Sequence, residues 1–145
     1  RRRKNVSLVV DASIALAWAL HDEHSEIADK AFKQIREKGA SAPILFMTEV
    51  LNTIGIVKRR GRISADTANQ MRSLFHGMEL AYDYEIRLHA WTDIAEIAAR
   101  HELSAYDASY LALASRMQLP LATLDKQLLT AAQAAGVAVF GQDAA

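Results

Sequence analysis

Five short apolar runs punctuate this chain and alternate with stretches of helical period. They are Val6–Val10 (VSLVV), Ala42–Phe46 (APILF), Met78–Tyr82, Leu119–Leu124 (LPLATL) and Val137–Phe140. The first is nearly continuous in apolarity rather than alternating, which marks a strand buried on both faces, as in a parallel sheet covered by helices. Strands that alternate with helices imply crossover connections. The expected fold is therefore α/β: a three-layer α/β/α sandwich with a mostly parallel central sheet.

The intervening segments read as helices. Ser13–Leu20 is apolar on most sides. Glu26–Lys38 carries Ile27, Ala31, Phe32 and Ile35 at helical spacing and ends at Gly39. Thr48–Arg60 turns Val50, Leu51, Ile54 and Val57 inward, and Ser64 opens another helix through about His76. Glu85 to about His101 is a long helix with Leu88, Trp91, Ile94, Ala95 and Ala98 on one face. Ser104–Met117 and Lys126–Ala134 complete the set, while His21–Ser25 is a polar turn.

At 145 residues, with no internal repeat or linker, the expectation is one domain spanning 1–145. Arg1–Asn5 reads as a disordered, trimmed or appended end, not a targeting signal. Seventeen Lys and Arg balance seventeen Asp and Glu, so overall charge predicts no polyanion partner and any nucleic-acid site must come from local patterning. Cysteine is absent, which removes thiolate chemistry and fits a reducing cytoplasm. No apolar stretch approaches the ~20 residues of a membrane span.

Four acids stand at or near helix starts: Asp11, Glu49, Asp107 and Asp125. Each has a plain structural explanation. Asp11 and Asp125 suit N-caps, Glu49 suits a first helical turn, and Ser104-x-x-Asp107 is a capping box. Three of them directly follow expected strands. In an α/β sheet such positions share one edge, beyond the carboxyl ends of the strands. Two carboxylates ~5 Å apart repel by about 3 kcal/mol at an effective dielectric of ~20. If the four converge, they raise one another's pKa values or demand a cation. Oxygen ligands without His or Cys select Mg²⁺ or Mn²⁺, and such a site suits phosphoester hydrolysis. Ser13, two residues after Asp11, can bond it or a water. Asn52 shares the helical face of Glu49.

VVDASIALAW, TEVLNTIGIVKRRGRIS, LSAYDASYLALASRMQLPLATLD and KQLLTAAQAAGV together resemble the PIN domain, in order and over nearly the whole chain. They are most similar to VapC-type toxins of bacterial toxin–antitoxin pairs. The resemblance implies a Rossmann-like fold and an Mg²⁺- or Mn²⁺-dependent endoribonuclease, neutralised by a cognate antitoxin. It maps the metal-binding and catalytic acids onto Asp11, Glu49, Asp107 and Asp125. Ser13, Thr123 and Asn52 fall on its supporting polar positions. RNA as substrate and a homodimer follow from the same resemblance.

Other features carry less. Lys58, Arg59, Arg60 and Arg62 form a basic cluster at a helix end; it is either a C-terminal cap region around Gly61 or an added phosphate contact. His21-Asp-Glu-His24 suits a solvated loop. His76, His89 and His101 lack partners at ligand spacing. Trp18 and Trp91 read as core or interface residues. The helix pair around Ile54 to Met71 can form a groove for an antitoxin helix, or simply core. A haloacid-dehalogenase-type phosphatase would need an acid where Ser13 stands, and a receiver domain a mid-chain phosphorylated Asp. The remaining alternative is a non-catalytic PIN-fold scaffold that binds RNA or protein.

Overall fold

The computed structural model describes residues 6–20 and 25–142. The Arg1–Asn5 segment and His21–His24 therefore lie outside the described residues. The strands β1 (Val9–Val10), β2 (Ala40–Pro43), β3 (Leu80–Asp83) and β4 (Leu121–Ala122) form one sheet in the order β3-β2-β1-β4, with every pairing parallel. The helices are α1 (Ala12–Ala19), α2 (Glu26–Lys38), α3 (Leu45–Arg59), α4 (Ala65–Gly77), α5 (Ile86–His89), α6 (Ala95–His101), α7 (Ala105–Met117) and α8 (Lys126–Ala134). A π-helical turn, Ala90–Ile94, joins α5 to α6. The three-layer α/β/α architecture is the one expected.

Local chemistry explains most boundaries. Ser25, Ser64 and Ser104 accept hydrogen bonds from the Ala28, Thr67 and Asp107 N–H groups at the starts of α2, α4 and α7. Each such cap contributes about 1 kcal/mol. Leu8, Val9, Val10, Leu121 and Ala122 are wholly buried, as strands covered on both faces must be. Helix α7 packs across β1, β2 and β4, and every residue from Ala108 to Ala114 is buried. Its alternation of Ala and Leu lets the helix lie close to the strands. On its other flanks α7 meets α6 and α8, while α1 packs on α2 and α3.

Several boundaries differ from the apolar runs. β2 is the small-residue segment Ala40–Pro43, not Ala42–Phe46. Pro43 cannot donate to a ladder, and Ile44 to Phe46 belong to the start of α3, whose buried face runs Phe46, Val50, Ile54, Val57. Leu51 is half exposed rather than inward. β3 begins two residues later than Met78. Val137–Phe140 makes only a single parallel bridge, Leu121 to Val139, flanked by backbone bonds of 2.8 and 2.9 Å. The face expected from Leu88 to Ala98 is also interrupted. The π turn rotates it, leaving Ile94 buried but Trp91 91% and Leu88 63% exposed. Among the described residues no helix is long and apolar enough to cross a membrane.

Candidate active site

From β1 the chain moves outward through β2 to β3, then returns to place β4 on the other side of β1. The strand order thus reverses at β1/β4, and in such sheets sites form beyond the carboxyl ends of the strands at that reversal. Asp11 stands at that point. Its carboxylate caps α1, accepting from the Ile14 N–H at 3.2 Å. It also does more than cap. The Ser13 hydroxyl donates to Oδ1 at 2.6 Å and the Thr123 hydroxyl donates to Oδ2 at 2.5 Å.

Both hydroxyls are themselves held. Ser13 Oγ accepts from the Leu124 N–H at 2.9 Å, and Thr123 Oγ1 accepts from the Asp125 N–H at 3.0 Å. These bonds clasp the β1–α1 junction to the β4–α8 junction. Asp11 is only 4% exposed. Burial pushes its carboxyl up from 3.8 to about 6; the Ser13, Thr123 and Ile14 hydrogen bonds oppose the rise and the Asp107 charge adds to it.

The other acids surround it. Asp125 caps α8 through the Leu128 N–H at 2.9 Å and is exposed. Asp107 lies in the first turn of α7, its N–H bonded to Ser104 Oγ at 3.1 Å, as the capping box requires. Its carboxyl is raised by burial and by the neighbouring Asp125 charge, with Ser104 opposing. Glu49 is different. Because α3 starts at Leu45, Glu49 stands in the second turn, and the first turn holds no acid. The favourable helix-end field fades within one turn, so the helix start no longer accounts for it. Burial raises Glu49, the nearby Tyr110 hydroxyl opposes the rise, and the Asp107 and Asp11 charges add to it. Asn52 is exposed, and among the described residues no hydrogen bond ties it to Glu49.

Electrostatic coupling therefore links Asp11 to Glu49 and Asp107, Glu49 to Asp107, and Asp107 to Asp125. The four carboxylates share one neighbourhood. Their donor set fits a hard divalent cation: it is all oxygen, mutually repelling, and Glu49 Oε1 is buried without a hydrogen-bond partner. Among the described residues, no three His, Asp or Glu side chains are gathered closely enough to hold one ion as posed.

One residue of this neighbourhood was not among those read from the sequence. Tyr110 is 1% exposed, its hydroxyl has no aligned partner, and the surrounding burial and Glu49 charge raise its pKa. Its spacing three residues after Asp107, on the same helical face, was the available signal.

The remaining candidates separate. The basic cluster ends α3 in a C-terminal cap: Gly61 takes φ 74°, and the Arg62 N–H reaches the Val57 carbonyl at 2.9 Å. Arg59 lies about 15 Å along the helix axis from Glu49. Trp18 packs beside Phe32 with its indole N–H on the Ala28 carbonyl, inside the α1–α2 contact. Trp91 is not core. His89, unlike the expectation, has acidic neighbours one turn either side: Asp93 at 2.9 Å and Glu85 at 3.8 Å.

The chain is similar to known proteins in both sequence and fold. The PIN domain family model matches residues 8–134. Ribonuclease VapC3 of Pyrobaculum aerophilum is 32% identical over 129 residues, covering 85% of this chain and 92% of that protein. Ribonuclease VapC9 of Mycobacterium tuberculosis is 35% identical over 127 residues, covering 88% and 92%. The crystal structure of PAE2754 from Pyrobaculum aerophilum superposes with a TM-score of 0.66 at 25% identity, covering 88% of this chain and 80% of that one. This chain belongs to the PIN-domain family.

Proposed function

We propose that this protein is an endoribonuclease toxin that hydrolyses RNA phosphodiester bonds and is restrained by a cognate antitoxin. The observation that carries the reading is the coupled set Asp11, Glu49, Asp107 and Asp125 near the β1/β4 reversal of strand order. The ribonuclease relatives, alike over most of the chain, support the substrate class. The same four residues would hold Mg²⁺ or Mn²⁺. Such an ion, when bound, lowers the pKa of water and neutralises charge that develops on phosphate and leaving oxygens.

The chain's own contribution is placement. Ser13 and Thr123 fix both oxygens of Asp11, so its carboxylate cannot swing toward solvent. Without a cation Asp11 keeps a proton up to about pH 6, so a cation and that proton compete for one carboxylate. Asp107 stands in the first turn of α7 and Asp125 caps α8, which puts both on rigid helix starts. Such a reaction belongs in the cytoplasm, where RNA is available.

The antitoxin would occupy the apolar groove between α3 and α4, lined by Phe46, Met47, Val50, Leu51, Ile54 and Phe75. A groove of this composition accepts the apolar face of an amphipathic helix. Exposed Leu88 and Trp91 support self-association through the α5 region. RNA incubated with purified protein and Mn²⁺ tests the central reading. Cleavage that disappears in Asp11→Asn and Asp107→Asn, at matched folding, is expected; full activity in both variants refutes the assignment. A parent chain that cleaves no RNA with any divalent metal would instead be a binding scaffold.

A further inference from the structure

We propose that Tyr110 is a positioning residue for Glu49, its buried hydroxyl fixing the direction in which that carboxylate faces the acid cluster. The proposal deepens the reading above and rests on it for its catalytic consequence, though not for the pairing itself. The acids differ in how firmly they are held. Asp11 receives two hydroxyls and a backbone N–H, and Asp125 receives the Leu128 N–H. Glu49 sits in the second turn of α3, past the free N–H groups of the helix start. Its Oε1 is buried with no partner.

The neighbouring donor is the phenol of Tyr110. It reaches Glu49 from a second helix, α7, three residues beyond Asp107. That spacing puts Asp107 at the rim and Tyr110 one turn below it on the same face. The hydroxyl is buried and, like Glu49 Oε1, lacks an aligned partner. Burying an unsatisfied hydroxyl is unfavourable, and a phenylalanine of the same shape would avoid it. The two unsatisfied groups lie side by side. Hydrogen bonds of this kind are commonly long in the free enzyme and tighten when the site is loaded. Here tightening would fix Glu49 through Tyr110, as Ser13 and Thr123 fix Asp11.

The test compares the parent, Tyr110→Phe, Glu49→Gln and the double variant. Phenylalanine keeps the ring and its packing, so the fold is retained. In EDTA, urea unfolding should show the two substitutions to be non-additive, by about fivefold in the unfolding equilibrium constant. Calorimetric titration with Mn²⁺ alone should show Tyr110→Phe binding at least about tenfold more weakly than the parent. In the Glu49→Gln background the same change should have no further effect. RNA cleavage by Tyr110→Phe should lose kcat with KM nearly unchanged. Additive unfolding together with parental Mn²⁺ affinity overturns the proposal. A parent chain that binds no Mn²⁺ would overturn the metal reading, while the cycle in EDTA still decides whether Tyr110 and Glu49 are paired.

Discussion

Replacing Asp11 with asparagine should make the metal-free protein more stable at neutral pH while abolishing its activity. The Asp11 carboxyl is buried, and its pKa rises from 3.8 in the open chain to about 6 in the folded one. The folded state therefore binds this proton more tightly than the unfolded state does. The resulting stability is fully present below pH 3.8 and is lost as pH rises through about 6. At about 1.4 kcal/mol per pH unit, the whole loss is about 3 kcal/mol. Asparagine carries no charge at any pH and escapes it. The carboxamide does exchange one acceptor for a donor, and so disturbs the bond from Thr123 or Ser13, at a cost of about 1 kcal/mol. Asp11→Asn should then exceed the parent by about 1–2 kcal/mol at pH 7.5, or roughly 2–8 °C in Tm. At pH 4 it should fall slightly below. Urea unfolding in EDTA, followed by circular dichroism from pH 4 to 8, reads this directly as two curves that cross. A variant less stable than the parent by the same amount at every pH would show that the carboxyl's burial carries no such penalty, and would refute the reasoning.

Three further outcomes follow from the geometry. Thr123→Val keeps the shape of the side chain but removes the donor to Asp11 and the acceptor for the Asp125 N–H. Unfolding should show a loss of about 1–3 kcal/mol, and the acid limb of RNA cleavage should move to higher pH because a bond that lowers Asp11 is gone. Leu51→Glu, on a side chain that is 51% exposed, should leave the melting transition within about 0.5 kcal/mol of the parent and keep RNA cleavage, yet weaken antitoxin binding measured by calorimetry. Unchanged affinity would move the antitoxin elsewhere. Trp91→Ser should halve the mass measured by light scattering if the α5 region joins two copies; an unaltered mass removes that face from consideration.

The strand–helix alternation was legible because each segment obeys its own period. Helices α2 and α8 run over the residues their patterns marked, and Ser64 opens α4, since a capping side chain and a helical stripe agree there. β2 was misplaced because the strand beside α7 is built from Ala and Ser rather than from large apolar residues. Close helix–sheet packing favours small side chains that carry no hydropathy signal. The same misplacement put Glu49 at a helix start. The π turn was invisible, since an inserted residue shifts the helical face without changing composition. Of the site, Asp11 and Asp125 could be named because a cap position and a strand end coincide there, and Asp107 because it completes a capping box. Whether they touched could not be read: Thr123 and Asp11 are 112 residues apart, and only the sheet order makes them neighbours. Tyr110 looked like one more core aromatic in an Ala-rich helix.

The clasp has a consequence for how the molecule comes into being. Asp11, Glu49 and Asp107 are all synthesised before Thr123 and Leu124, yet Asp11 acquires its final setting only when those later residues arrive. Contacts so distant along the chain form late and slowly. A ribosome-bound fragment ending near residue 118 would carry three of the acids and still lack Thr123, which holds the second oxygen of the first, and Leu124, which anchors Ser13. On the proposed reading, in which the folded chain attacks RNA, harmlessness would thereby last until Thr123 and Leu124 have been made.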